Sequence, residues 1–214
     1  MALRLSRPAD ASETSTRSSQ RIDARAQASL AAGDLKGYRE LFAHAATVED
    51  PHRRYQARRT LVEQGLAAAG STPSKDVPAL FLAVARSAVE LLEDEPREPV
   101  LLNYTGVALY ELGALDAAEA LFRACRRLDD TVAHVESNLQ EIARRRRAGA
   151  GAMPKLPGAV RAELKPLAAR AKDCAGRARP VKGLKLSLCM IVKDEEEMLP
   201  RCLAAVKPAV DEMI

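Results

Sequence analysis

The residues best suited to chemistry lie near the end of the chain, where a run of acids follows an apolar run. Residues 184–192 form a short, mostly apolar run that follows Gly183. Such a run predicts a strand buried on both faces, as in a parallel sheet. The acids that follow suit the positive end of a helix, and Asp194 with Glu197 has the spacing of a capping pair. An apolar stripe then predicts a helix through Met198, Leu199, Cys202, Leu203 and Val206. Residues 209–214 approach a second strand, so the segment predicts a β-α-β opening.

Cysteine side chains could supply metal ligands or disulfides, but their spacing here predicts neither. The four cysteines are scattered, form no C-x-x-C pair and have few histidines beside them. We therefore predict small buried apolar side chains in a reducing compartment, and no metal site. The residues concerned are Cys125, Cys174, Cys189 and Cys202.

Four consecutive arginines, residues 144–147, could bind an anion or a nucleic acid. Cations also suit the C-terminal end of a helix, where the macrodipole is negative, and a glycine-rich stop signal follows at residue 149. Aromatic residues, which many nucleic-acid binders use for stacking, make up only 3% of the chain. We predict a helix end here and no nucleic-acid partner. The alternative, an adaptor protein that binds nucleic acid through basic residues, would depend on this run alone.

Residues 187–214, SLCMIVKDEEEMLPRCLAAVKPAVDEMI, closely resemble the first strand, first helix and second-strand entry of bacterial family-2 glycosyltransferases of the inverting type. Asp194 departs from that pattern, since asparagine is common there. The resemblance implies a nucleotide-binding α/β domain of the GT-A fold. Its nucleotide sugar would lie at the carboxyl end of the strand, at Val192, Lys193, Asp194 and Glu195. Lys193 would face the diphosphate, whereas bare carboxylates would repel it and are better explained as stabilising the helix start.

The same resemblance implies parts that these residues do not contain. Family members continue into a second strand ending in an acid, a D-x-D pair that holds a divalent metal, and a carboxylate base. The sequence has no D-x-D, and the pair Asp129 and Asp130 has the wrong form and lies in the helical region. We therefore expect Mg²⁺ or Mn²⁺ with a nucleotide sugar only for a completed domain. This chain by itself should hold no catalytic residue and transfer no sugar.

Upstream, residues 22–147 show a helical pattern throughout. One unit resembles a tetratricopeptide repeat, a helical hairpin of about 34 residues, through Leu102, Gly106, Leu109, Gly113, Ala118, Phe122 and Cys125. Gly106 and Ala118 would let two antiparallel helices approach closely. Gly113 would end the first helix, and Phe122 would fill the gap between the pair.

A second copy of the same spacing precedes the first, at Gly33, Leu35, Leu41, Phe42 and Ala45. Helical stretches at 51–69 and 74–93 lie between the copies, and another at 131–147 would cap the stack. This makes three hairpins, about the number that a solenoid needs, although any antiparallel helical bundle also places small residues at its crossings. Thr105 and Asp130 depart from the usual pattern of a large apolar residue and a proline. The partner implied is a protein or peptide in the groove of the repeats.

The predicted fold class is mainly α: tetratricopeptide-like antiparallel hairpins followed by the first βα unit of an incomplete α/β nucleotide-binding domain. We predict a disordered tail over 1–20, helical repeats over 21–148, a linker with one helix over 149–184, and the glycosyltransferase opening over 185–214. The linker helix, 158–178, should be interrupted near Pro166.

Composition agrees with a helical protein of the cytoplasm. Hydrophobic residues make up 47% of the 214 residues, mostly alanine and leucine, and the formal net charge is +4. No run is long and apolar enough to span a bilayer, and the first residues lack the apolar core of a secretory signal. Two functions remain open: the front end of a repeat-bearing glycosyltransferase, or an interaction scaffold that carries a relic of one.

Overall fold

The computed structural model describes residues 25, 28–29, 34–71, 76–149, 151, 153–180, 187–188, 198–207 and 212–213. The chain divides into two compact units, Met1–Arg179 and Pro180–Ile214. In the first unit the described helices are α1 (Leu35–Ala45), α2 (Pro51–Ser71), α3 (Val77–Asp94), α4 (Pro99–Glu111), α5 (Leu115–Leu128), α6 (Val135–Ala148) and α7 (Gly158–Arg177). The unit is therefore mainly α, as the sequence predicts.

The hairpin of α4 and α5 is built as its residue spacing predicts. The Glu98 carboxylate accepts a hydrogen bond from the Leu101 amide at the start of α4. Gly113 ends α4 with a φ of 79°, a left-handed conformation that glycine adopts without strain. At the crossing, a Cβ on Gly106 would lie 2.5 Å from the Phe122 ring, so the two helices approach through the missing side chain. Phe122 is 1% exposed and fills the gap.

The departure at Thr105 has a local explanation. This side chain is fully buried, and its hydroxyl donates a 2.7 Å hydrogen bond to the Leu101 carbonyl one turn earlier in α4. A buried hydroxyl without a partner would be costly, and the bond to the preceding turn satisfies it. Threonine can therefore replace a large apolar residue here without leaving an unpaired polar group.

The second copy of the repeat spacing also has a matching environment. Leu41, Phe42 and Ala45 on α1 are all buried, as are their counterparts on α5. Gly65 on α2 receives a neighbouring helix as Gly106 does, since a Cβ there would lie 2.7 Å from Val84. Tyr38 is buried beneath it and donates its hydroxyl to the Leu61 carbonyl at 3.2 Å.

The helices alternate between two sides of the first unit. The second helices of successive hairpins are α1, α3 and α5, and the first helices are α2, α4 and α6. Contacts link α2 with α4 and α4 with α6. Helix α7 packs mainly against two earlier helices, α3 and α5. We call the surface shared by α2, α4 and α6 the first-helix face. The large side chains with the least exposure lie between the two sides: Tyr38, Leu61, Leu91, Leu92, Leu101, Leu102, Leu109, Leu112, Leu121, Phe122 and Ile142.

The predicted interruption of the linker helix is wrong, because α7 runs without a break through Pro166. Proline removes one intrahelical hydrogen bond and usually kinks a helix. Here, Val160 lies before the proline and Leu167 and Ala171 lie after it, and all three are buried. Packing on both sides of Pro166 holds the two halves of the helix against α3 and α5.

The second unit contains a short parallel strand pair around one helix. Strand β1 (Ser187–Leu188) pairs in parallel with β2 (Glu212–Met213), Ser187 opposite Glu212 and Leu188 opposite Met213. Helix α8 (Leu199–Val206) lies between them in sequence, with Pro200 in its first turn as predicted. The rest of the predicted strand at 184–192 lies outside the described residues. Two paired residues per strand do not establish a nucleotide-binding domain, which stays a prediction.

The prediction that the cysteines are buried is right for Cys125 and Cys174. Burial raises the pKa of the Cys125 thiol to about 11, so it stays protonated and unreactive. Cys202 is exposed, which the sequence prediction missed, because α8 has no buried residue. Cys189 lies outside the described residues.

None of the helices that the structure describes combines the length and the apolar character needed to cross a bilayer.

Candidate functional site

The residues singled out by the glycosyltransferase resemblance, Val192, Lys193, Asp194 and Glu195, lie outside the described residues. Their suggested role therefore stays a prediction. Across the part of the chain that the structure describes, no group of three or more His, Cys, Asp or Glu side chains is placed to hold a metal ion.

The run of four arginines lies at the C-terminal end of α6, as predicted: Arg145, Arg146 and Arg147 are in its last turn, which ends at Ala148, and Arg144 directly precedes that turn. Arg144 forms a two-bond ion pair with Glu141, both bonds 2.7 Å long. Arg146 reaches α5, where it contacts the carboxylates of Asp116 and Glu119 at 2.6 Å each. These contacts tie the end of α6 to its own helix and to α5.

Arg145 instead points toward α4 and helps build the first-helix face. Its guanidinium lies 3.9 Å from the centre of the Tyr110 ring and donates a 2.7 Å hydrogen bond to the Tyr110 carbonyl. The Tyr110 hydroxyl donates to Glu141 at 2.8 Å. Burial, followed by this bond to a carboxylate, raises the pKa of Tyr110 to about 12. The phenol therefore remains a hydrogen-bond donor at neutral pH.

These side chains border a groove of about 400 Å³ between α4 and α6. Val107, Tyr110 and Phe122 provide its apolar surface, and Glu111, Asn138, Glu141 and Arg145 provide its polar edge. Asn138 donates its amide to the Asn103 side chain at 3.1 Å, which fixes α6 against α4. Glu111 has no ion-pair partner among the described side chains, so its charge is available to a ligand.

A second cluster lies between α2 and α4 on the same face. Arg59 is 3.8 Å from the Glu98 carboxylate, and the charge of Glu98 also acts on Tyr55 and Tyr104. Burial is the main cause that raises the pKa of both tyrosines. Tyr55 Oη and Arg59 Nε are buried without a hydrogen-bond partner among the described residues. This cluster thus has two buried polar atoms that the described residues leave unsatisfied.

Sequence reasoning missed this pair of clusters, although a signal was present. Tyr55, Arg59 and Glu63 recur every four residues along α2 and therefore share one side of the helix. Three of the four tyrosines in the chain lie on the first-helix face, in a protein with few aromatics. Tyrosine and arginine are enriched at protein interfaces, where they make the largest contributions to binding.

The pKa of the Glu141 carboxyl group should report on the contact between α4 and α6. The ion pair with Arg144, and then the hydrogen bond from Tyr110, lower its pKa from 4.5 to about 2. Arg144→Ala should therefore raise the pKa of Glu141 substantially, and Tyr110→Phe should raise it by less. Because the folded-state pKa is depressed, this stabilisation is present above pH 4.5 and is lost as the pH falls toward 2.

A carbon-detected NMR titration of the Glu141 carboxyl group would measure these shifts. Arg147→Ala is the matched control, because Arg147 donates to the Ala143 carbonyl and should leave the titration of Glu141 unchanged. An Arg144→Ala titration that coincides with that of the unmodified protein would contradict the ion pair.

Comparison with known proteins supports the repeat character only. A TPR repeat-containing protein of Synechococcus elongatus is 70% identical over 30 residues, covering 14% of this chain and 7% of that protein. The chain thus matches a small part of that relative's length. No protein-family model matches the chain. No solved structure matches it either. The helical hairpins and this relative support tetratricopeptide-like repeats, and neither supports a glycosyltransferase.

Proposed function

We propose that the first unit is a protein-interaction module that binds a partner peptide on its first-helix face. The observation that carries the proposal is the distribution of contacts: α7 packs mainly on α3 and α5, while Tyr55, Tyr104 and Tyr110 line the first helices. All three tyrosines are half-buried, so each offers the exposed part of an anchored ring to a ligand.

The groove between α4 and α6 favours a peptide that carries an apolar residue beside a lysine or arginine. Val107 and the Tyr110 ring would receive the apolar side chain. Glu111 would pair with the cation, because its charge is not neutralised by a described neighbour. The carboxylate of Glu141 is already engaged by Arg144 and Tyr110. Farther along the face, the half-buried rings of Tyr55 and Tyr104 would pack against the peptide.

The test compares two synthetic peptides with the same apolar residues, one flanked by lysines and the other by glutamates. Fluorescence anisotropy should show tighter binding of the lysine peptide to the full chain, and NMR shifts should map to Val107, Tyr110 and Asn138. Glu111→Lys should weaken binding about tenfold, because attraction becomes repulsion.

Glu49→Lys is the matched control, since it changes the net charge equally at an exposed loop residue outside the groove. It should leave the affinity of the lysine peptide within about twofold of the original. Equal shifts of the Val107, Tyr110 and Asn138 signals by the two peptides, or equal losses in the two variants, would rule out recognition at Glu111.

We also propose, from the resemblance of residues 187–214, that the second unit belongs to a glycosyltransferase that uses a nucleotide-sugar donor. The parallel pairing of β1 with β2 across α8 supports this proposal, since such domains open with a βαβ unit. The helical repeats would then recruit the acceptor or a partner protein. Mg²⁺ or Mn²⁺ would act in the completed domain by neutralising the departing diphosphate.

Sugar transfer tests this second proposal. The 214-residue chain should release no nucleoside diphosphate from a panel of nucleotide sugars with either metal. A longer protein that contains this chain and a D-x-D motif should do so, and replacing that motif by N-x-N should abolish release. Inactivity of the longer protein on every donor would count against a glycosyltransferase, while leaving the peptide-binding proposal untouched.

A further inference from the structure

A groove of about 560 Å³ runs between the second helices α1 and α3. Its apolar surface includes Leu35 and Ala83, which are half-buried, and Ala43, which is exposed. Lys36, Arg39, Arg58 and Arg86 line it, against the acids Glu40 and Glu90. The groove therefore combines an apolar floor with an excess of positive charge.

Among the described residues, most charged side chains of this groove have an ion-pair partner, and Arg39 has none. Arg58 lies 3.8 Å from Glu90, stacks 4.5 Å from the Phe42 ring centre and reaches Asp94 at 3.5 Å. Lys36 lies 3.8 Å from Glu40, one turn away on α1. Arg39 makes no ion pair with any described residue. Its repulsion contributes, after burial, to the lowered pKa of Arg86 across the groove.

The chain itself shows how α3 receives an amphipathic helix. Next to the groove, α7 buries Leu167, Ala171 and Cys174 against the first unit, where it packs on α3 and α5. From the same helix, Glu163 forms an ion pair with Arg86. Beside the groove, α3 thus already packs against a helix that combines an apolar stripe with a carboxylate, and this carboxylate pairs with an arginine of α3.

We propose that the α1–α3 groove docks an acidic amphipathic helix of another protein, lying beside α7 with its apolar stripe on Ala43 and Ala83. A carboxylate of that helix pairs with Arg39, as Glu163 of α7 pairs with Arg86. The complementary charge and the adjoining α7 interface together define this occupant. The site is separate from the first-helix face and asks for the opposite charge, so it does not depend on the peptide proposed there.

The test uses two synthetic 18-residue helical peptides with one leucine and alanine stripe, flanked by glutamates in one and by lysines in the other. The glutamate peptide should bind the full chain and shift the amide NMR signals of Ala43 and Ala83. Arg39→Glu should weaken this binding about tenfold, and Arg39→Lys should largely preserve it. Lys155→Glu is the matched control, because Lys155 is exposed in the connector before α7.

Three results would overturn the proposal. The first is a lysine peptide that shifts the Ala43 and Ala83 signals as strongly as the glutamate peptide does, and the second is a shift map of the glutamate peptide away from α1 and α3. The third is a concentration-dependent dimer in analytical ultracentrifugation that Ala43→Glu dissolves, since a second copy would then cover the groove. Arg39→Glu should not alter binding of the lysine-flanked peptide at Glu111, so failure of this proposal is distinguishable from failure of the first-helix site.

Discussion

Gly106→Ala should destabilise the protein by about 2 kcal/mol, although alanine normally favours a helix over glycine by about 1 kcal/mol. The added methyl would lie 2.5, 2.8 and 2.9 Å from three carbons of the Phe122 ring. That ring is 1% exposed and has little space into which it can move. Urea unfolding would measure the loss, which corresponds to a fall in Tm of roughly 4 to 8 °C for a chain of this size.

Gly176→Ala is the matched control, because Gly176 lies in α7 and a Cβ there would meet no atom within 4 Å. The same substitution should be neutral or stabilising by up to about 1 kcal/mol at that position. Phe122→Leu combined with Gly106→Ala should show strong coupling, since the smaller side chain relieves the clash. Equal effects of the two alanine substitutions would contradict the close approach of α4 and α5.

Leu167→Asp should detach α7 and cost about 3 to 5 kcal/mol, the range found when an uncompensated charge is left in a protein interior. Leu167 is 5% exposed and lies on the side of α7 that packs against α3 and α5. Hydrogen exchange should show loss of protection throughout α7, while the α4–α5 hairpin keeps much of its own.

Ala169→Asp provides the control on the same helix. Ala169 is exposed and lies one turn of α7 from both Lys165 and Lys172, so a carboxylate there has favourable neighbours. Its effect should stay within about 0.5 kcal/mol of zero. If the two substitutions destabilise α7 equally, burial of the Leu167 side chain is not what holds the helix in place.

The hairpin could be predicted because its determinants are local. Gly106, Gly113 and Phe122 lie within one short segment, and each acts through a steric requirement that the residue type itself reveals. The arginine run could likewise be placed at the end of α6, since charge and a following glycine are readable along the sequence.

The packing of α7 could not be predicted in the same way. Its contacts join residues far apart in sequence, as when Arg170 forms two 2.8 Å bonds with Glu93. A pattern along one helix states which side is apolar, but it does not state which partner covers that side. For the same reason, Pro166 looked like a break, whereas packing on both sides of it preserves the helix.

The polar first-helix face also needed the structure. Tyr104 and Glu98 belong to α4 and its N-cap, whereas Tyr55 belongs to α2, and only the contact between α2 and α4 brings Tyr55 near Glu98. Repeat spacing predicted that such a face exists, because it depends on small residues at the crossings. It left open which side chains line the face and which charges remain unpaired.

The packing of α7 against helices that are synthesised earlier determines the order in which contacts form during translation. The α4–α5 hairpin closes through a loop of a few residues and can form as soon as α5 has emerged from the ribosome. The pair between Arg170 and Glu93 must wait for a separation of 77 residues to be made. At about 5 to 20 residues per second, the nascent chain spends roughly 4 to 15 s with the α7-facing side of α3 uncovered. Chaperones therefore have a defined interval to act, and a pause in translation before α7 would lengthen it.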